Sequence, residues 1–172
     1  MSLRRAIKSS LLIVGLLAMA SMVSASCGAS GKDVSKPEIA AALKSFMEAF
    51  MNNDAAALPA LLSEDCTAAE VAQLQSASQL VHEVSLGAQF NYTVDADLLI
   101  IEVEDDKVAV PLDQPERAVA ATAIVNGQQG PSESPLDPLV APPVFVRAKG
   151  TWKVDNCGEL LQRGDEDAPE TP

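Results

Sequence analysis

Aromatic residues are scarce in this chain: one Trp, one Tyr and four Phe, 3% of 172 residues. A core built from it must be largely aliphatic. Histidine is scarcer still, since His82 stands alone. An acid–base mechanism needs a base, an orienting partner and a nucleophile, and the sequence offers no such trio. There is no His and Cys spacing suited to a metal and no glycine-rich phosphate loop. Neither a cofactor nor a metal ion is expected. Cationic residues are half as numerous as anionic ones, 12 against 24, for a formal net charge of −12. Such a surface repels phosphate, which excludes nucleic acid as a partner. It repels anionic lipid too, so attachment to a membrane would need an acyl chain. No apolar run reaches the length of about 20 residues that spans a bilayer.

The longest apolar run, Leu11 to Ala20, has a different use. Arg4, Arg5 and Lys8 precede it, and Ser21, Ser24, Ala25 and Ser26 follow. A basic start, a short apolar middle and a small-residue end make a secretory signal. Residues 1–26 are read as that signal and 27–34 as a tether containing Gly28, Ala29, Ser30 and Gly31. Arg4-Arg5 hints at twin-arginine export, but Lys8 stands where an apolar residue belongs, so general secretion is expected. Two cleavage sites compete. Val23-Ser24-Ala25 suits an ordinary signal peptidase. Ser24-Ala25-Ser26-Cys27 resembles a lipobox, in which Cys27 is acylated, palmitate included, and becomes the N-terminus. Ser24 departs from the aliphatic residue usual there, so plain secretion stays open as the alternative. Loss of the three basic residues of the signal makes the net charge three units more negative.

There are three cysteines, Cys27, Cys66 and Cys157. An odd thiol is a liability in an oxidising compartment. Lipid on Cys27 leaves Cys66 and Cys157 to pair, and nothing is left over. The alternative is two unpaired buried thiols.

The remaining chain, about 146 residues, suits one domain. Ser35-Lys36-Pro37-Glu38 reads as a capping box with Pro in the first turn. Ile39, Leu43, Phe46, Met47 and Phe50 then recur at helical steps. Asp54 can cap a short helix to Leu62, kinked or delayed by Pro59. Thr67-Ala68-Ala69-Glu70 is a second capping box, with Val71, Leu74, Ala77, Ser78 and Val81 behind it. From Phe90 the period changes to two: Phe90, Tyr92 and Val94 alternate with polar residues. Leu98 to Val103 reads as a short buried strand, Glu104 to Asp106 as a turn, and Val108 to Val110 as more sheet. Ala118 to Val125 ends at Asn126-Gly127, a strong hairpin signal. Gln128 to Pro138, rich in Pro and Gly, reads as a loop. Val140 to Arg147 and Thr151 to Asp155 are strands around Gly150. Residues 163–172, acidic and proline-bearing, form a disordered tail. Helices first and strands after mean α+β over residues 35–162, with N-terminal helices packed on a curved antiparallel sheet. Asn91-Tyr92-Thr93 matches a glycosylation sequon, a chance match in a bacterial lipoprotein. Glu102 to Asp106 could hold a cation but reads better as a solvated turn.

Two stretches resemble a known family. Asn53-Asp54 followed by the Ala/Leu-rich Ala55 to Leu62, and the closing Phe145 to Val154 with Gly150-Thr151-Trp152-Lys153-Val154, are similar to the nuclear transport factor 2-like (cystatin-like) fold. The Trp-Lys strand followed by Leu160-Leu161 is similar to the low-molecular-weight secreted antigen family of actinobacteria. The resemblance implies a cone in which Cys66 and Cys157 lie on neighbouring segments. It implies that Phe46, Phe50, Tyr92 and Trp152 can line an apolar pocket at the mouth, with core packing as the alternative. Enzymes of this fold place acids and bases inside the cone, where Tyr92 and Asp95 are the candidates, and the sequence shows no acid-base pair that includes either. The expectation is an exported, cell-envelope lipoprotein whose domain binds or supports an envelope protein or small molecule without catalysis. The alternatives are a secreted carrier of a small apolar ligand and an isomerase- or hydratase-like enzyme.

Overall fold

The computed structural model describes residues 34–132 and 136–162. Residues 1–26, read above as a signal, Cys27, most of the stretch read as a tether and residues 163–172, read as a tail, lie outside the described residues. Two α-helices come first: α1, Lys36–Met51, and α2, Ala68–Val84, with a short helical turn at Leu58–Leu61 between them. Seven strands follow: β1 Gln89–Val94, β2 Glu102–Glu104, β3 Lys107–Ala109, β4 Val119–Val125, β5 Gln128–Ser132, β6 Val144–Ala148 and β7 Thr151–Val154. The fold is α+β, as the order of patterns in the sequence implies.

The strands group into two antiparallel sheets where the sequence reading has one. One sheet runs β1-β4-β5 and the other β2-β3-β6-β7. α1 contacts both, lying against β1 and β7. Its buried face, which includes Ile39, Leu43, Phe46, Met47 and Phe50, is the stripe read from the sequence. Phe90 and Tyr92 of β1 also face the core, opposite Ala123 and Ala121 of β4. Small residues across from large ones leave room for the two rings. In the second sheet, Val108, Phe145 and Val154 stand side by side across β3, β6 and β7 and are fully buried. Leu62 continues that row through a bridge to Val154.

Local chemistry fixes the ends of these elements. Thr67 and Glu70 form the reciprocal capping box, with the Glu70 carboxylate 2.7 Å from the Thr67 N–H. Those contacts hold the Glu70 carboxyl below its ordinary range. Asp54 Oδ1 accepts from the N–H groups of Ala56 and Ala57, starting the short turn that Pro59 keeps short. The Ser78 hydroxyl donates to the Phe50 carbonyl, one of the carbonyls left over at the end of α1. Asn126 and Gly127 both have positive φ (50° and 79°), the twist a two-residue hairpin turn demands.

Four local readings are corrected. Ser35 precedes α1, but its side chain makes no capping bond. Glu38 is drawn instead to Trp152 Nε1 at 3.0 Å and Arg147 at 3.4 Å. Leu98 to Val103 is not a buried strand. Leu99 alone of Leu98, Leu99 and Ile100 is buried, and pairing starts at Glu102. The stretch from Gln128 is not all loop, because β5 pairs with β4 through Ser132. Pro131 is tolerated there because an edge strand does not need every N–H. The strand read from Val140 begins only at Val144, after Pro142 and Pro143.

Candidate functional site

Cys66 and Cys157 stand at disulfide distance, Cα to Cα 5.7 Å, across a sequence separation of 91. Cys66 lies in the turn before α2, and Cys157 follows β7. Ser63 reinforces the same junction. Its N–H donates to the Val154 carbonyl at 2.7 Å and its hydroxyl to Asp155 Oδ1 at 2.8 Å. Lys107 Nζ binds the other Asp155 oxygen at 2.8 Å. Lys107 chiefly, then Ser63, hold the Asp155 carboxyl below its usual range against the opposing effect of burial. Nearby, Arg147 lies 5.7 Å from the centre of the Trp152 ring, and both groups meet Glu38. Turn, helix start and last hairpin are thus fastened together.

The residues read as a pocket lining are placed as follows. Phe46 and Phe50 are fully buried and stack with ring centres 6.1 Å apart. Tyr92 is buried between α1 and the first sheet, and burial, with Glu48 beside it, pushes its hydroxyl well above the ordinary range. Trp152 is half-buried on β7, at the Glu38–Arg147 contact. Asp95 is exposed just beyond β1, and its carboxylate accepts from the Asp97 N–H at 3.0 Å. Tyr92 and Asp95 thus sit in opposite environments. His82 is half-buried near the end of α2, and its Nδ1 has no hydrogen-bond partner among the described residues.

A cleft of about 680 Å³ lies elsewhere, over the second half of α1, the turn after it and the start of β1. Ser45, Glu48, Asn52, Asn53, Asp54 and Gln89 supply its polar lining, and none of the four aromatic residues read as a pocket belongs to it. Ser45, Glu48 and Asn52 recur at steps of three and four, a polar stripe on α1 that the sequence already contained. Ser45 donates to the Ala41 carbonyl and Asp54 accepts from Ala56 and Ala57, while two of these side chains reach β1. Asn52 holds the Phe90 backbone with both ends of its amide, at 2.7 and 2.9 Å, and Glu48 accepts the Tyr92 N–H at 3.0 Å. The outer edge of β1 is therefore occupied by α1.

Gln114 does the same for Ile100, bonding its N–H at 2.9 Å and its carbonyl at 3.0 Å. Asn156 binds the Val144 N–H and the Pro142 carbonyl, both at 2.9 Å. The outer edge of β2 has no such cover among the described residues. Glu102, Val103 and Glu104 are all exposed. Among the described residues no group of three or more His, Cys, Asp or Glu side chains could hold a metal ion, the acidic hairpin Glu102 to Asp106 included. No helix among them is long and apolar enough to cross a membrane.

No family description and no curated protein sequence matches this chain. Among solved structures, that of Aln2 from a Streptomyces species, determined at 1.8 Å, is similar, with a TM-score of 0.45 and 14% identity, over 69% of this chain and 83% of that one.

Proposed function

We propose that this protein is a cell-envelope lipoprotein, held to the outer face of the membrane by acylated Cys27, whose single domain binds a partner and does no catalysis. The observation that carries the reading is the Cys66–Cys157 pair at 5.7 Å. A pair of this kind belongs to an oxidising compartment, and it leaves Cys27 as the one cysteine for a lipid. The order of helices and strands, with α1 across β1 and β7, supports assignment to the cystatin-like cones and to relatives of the low-molecular-weight antigens. Asp95 and Tyr92 face different surroundings, so they lend no support to an isomerase or hydratase. The cleft is lined by Ala49, Ala57 and Leu61 together with six polar side chains, a mixed lining that does not single out an apolar ligand.

The test is biochemical. Wild-type protein should partition into detergent and carry the mass of its acyl chains. Cys27→Ala should appear soluble in the medium. An unmodified N-terminus at Ser26 in the mature protein overturns the anchoring, leaving a secreted domain.

A further inference from the structure

The second sheet contains a row of apolar residues that stops short of cover. Val103, Val108, Phe145 and Val154 are direct cross-strand neighbours on one face, from β2 to β7. Three of them are buried, whereas Val103 at the end of the row is 52% exposed. On the opposite face of β2, Glu102 and Glu104 flank it. Hydrogen-bonded and non-bonded pairs alternate along an antiparallel ladder, so part of the β2 backbone points away from β3. No described residue occupies those groups, although Asn52 does so at β1 and Asn156 at the start of β6. Asp105 and Asp106 add two more carboxylates at the turn, and Lys107, the adjacent cation, is committed to Asp155.

We infer that the outer edge of β2 is a docking strand for an extended segment of a partner protein in which basic and apolar residues alternate. The incoming strand would place an apolar side chain beside Val103, continuing the buried row. Its flanking Lys or Arg residues would lie opposite Glu102 and Glu104, where unlike charges attract across a ladder. Backbone bonds supply affinity in such strand addition, and alternate side chains supply selectivity. A second copy of this chain does not fit. Two β2 strands paired antiparallel about Val103 would set Glu102 opposite Glu104, twice, and like charges directly opposite repel. This assignment rests on the reading of the domain as a binding module and is independent of the lipid on Cys27.

The experiment titrates the mature full-length protein with fluorescent Lys-Val-Lys-Val-Lys, following anisotropy. Three control peptides accompany it: a block peptide of the same residues with the valines adjacent, the same sequence N-methylated at alternate backbone nitrogens, and Glu-Val-Glu-Val-Glu. The alternating basic peptide is expected to bind, and the block, methylated and acidic peptides to bind about tenfold more weakly or not at all. Glu102→Lys/Glu104→Lys should weaken the first peptide about tenfold, while Glu102→Gln/Glu104→Gln gives an intermediate loss without charge reversal. Equal binding of the alternating and block peptides overturns the proposal, because it signals charge attraction alone. Unchanged binding by the Lys variant overturns it, as does absence of binding by any peptide. Detergent partition, measured on the same samples, reads the anchoring separately.

Discussion

Along the outer edge of β1, Glu48 of α1 and Asn52, the residue that ends α1, bond the backbone of Tyr92 and Phe90. Along the outer edge of β2, no described side chain does so, and Glu102 and Glu104 stand exposed instead. Both arrangements answer the same hazard, an unpaired strand that invites another strand. The first removes the hydrogen-bonding groups from use. The second leaves them available and lets charge choose the partner. β1 lies beneath the long helix and contributes Phe90 and Tyr92 to the core, so opening it would disturb the packing. β2 is three residues long, exposed throughout, and among the described strands bonded to β3 alone, so it can accept a partner at little cost to the fold.

The largest expected effect concerns the junction between the turn before α2 and the end of β7. Cys66→Ser/Cys157→Ser should lower stability by about 4–5 kcal/mol, the chain-entropy figure for a loop of this length. Urea unfolding of the oxidised wild type against the double variant reads it directly. Reduction of the wild type should reproduce the variant. If reduction changes nothing, Ser63 and Asp155 hold the junction without the sulfur bridge.

Next is the closed edge itself. Asn52→Ala strips the Phe90 N–H and carbonyl of their partner at a half-buried site, and should cost about 2 kcal/mol. Hydrogen exchange at the Phe90 amide should accelerate in step with the loss. Slow exchange in the variant would mean that the edge is closed by packing and that the amide is incidental.

A third effect depends on pH. The Asp155 carboxyl titrates below its ordinary value of 3.8 in the folded chain, chiefly through Lys107. A carboxyl that titrates lower when folded stabilises the fold above its unfolded value, and the contribution is lost as pH falls through the folded value. Asp155→Asn should therefore cost about 1–2 kcal/mol at neutral pH, since hydrogen bonds to a charged group are lost. The gap to wild type should shrink below about pH 4, as the wild-type carboxylate takes up its proton. A gap that does not shrink at all as the pH falls through the acid range would point to Ser63 packing rather than charge.

The closed side was easier to read from sequence than the open one, for physical reasons. The apolar stripe of α1 and the Thr67–Glu70 box are local, and local signals survive without a tertiary context. The pairing of Cys66 with Cys157 was legible only on the premise that Cys27 is set aside for a lipid, since three thiols allow three pairs. The bond from Glu38 to Trp152 crosses 114 positions, and nothing near Ser35 announces it. Asn52 ends α1, and its amide also reaches Phe90, 38 positions away, a contact that no local pattern announces. Leu98 to Ile101 misled because a continuous apolar run imitates a buried strand. Here the chain turns after Asp95, with the Leu99 N–H bonded to the Asp95 carbonyl, and leaves Leu98 and Ile100 in solvent. Glu102-Val103-Glu104 does alternate, yet three residues are too few to separate an edge strand from a solvated turn. The cleft stayed hidden for the same reason as the closed edge: its floor is a contact between α1 and β1.

The smallest expected effect on stability is the most telling about the open edge. Glu102→Gln/Glu104→Gln removes two exposed carboxylates that have no cation partner among the described residues, and the stability change should stay within about 0.5 kcal/mol. Self-association should respond instead. With the like charges gone, two β2 strands can pair about Val103 without repulsion, so sedimentation should detect dimers that the wild type does not form at the same concentration. High salt should bring the wild type part of the way toward the variant, because exposed charges are screened within about 3 Å at molar ionic strength. Asn52→Ala offers the matching control on the closed edge. If it dimerises as readily as the Gln variant, a helix amide and a pair of carboxylates serve the same end. A monomeric Gln variant would mean that something other than charge keeps β2 from its own copies, and the contrast between the two edges would reduce to hydrogen bonding alone.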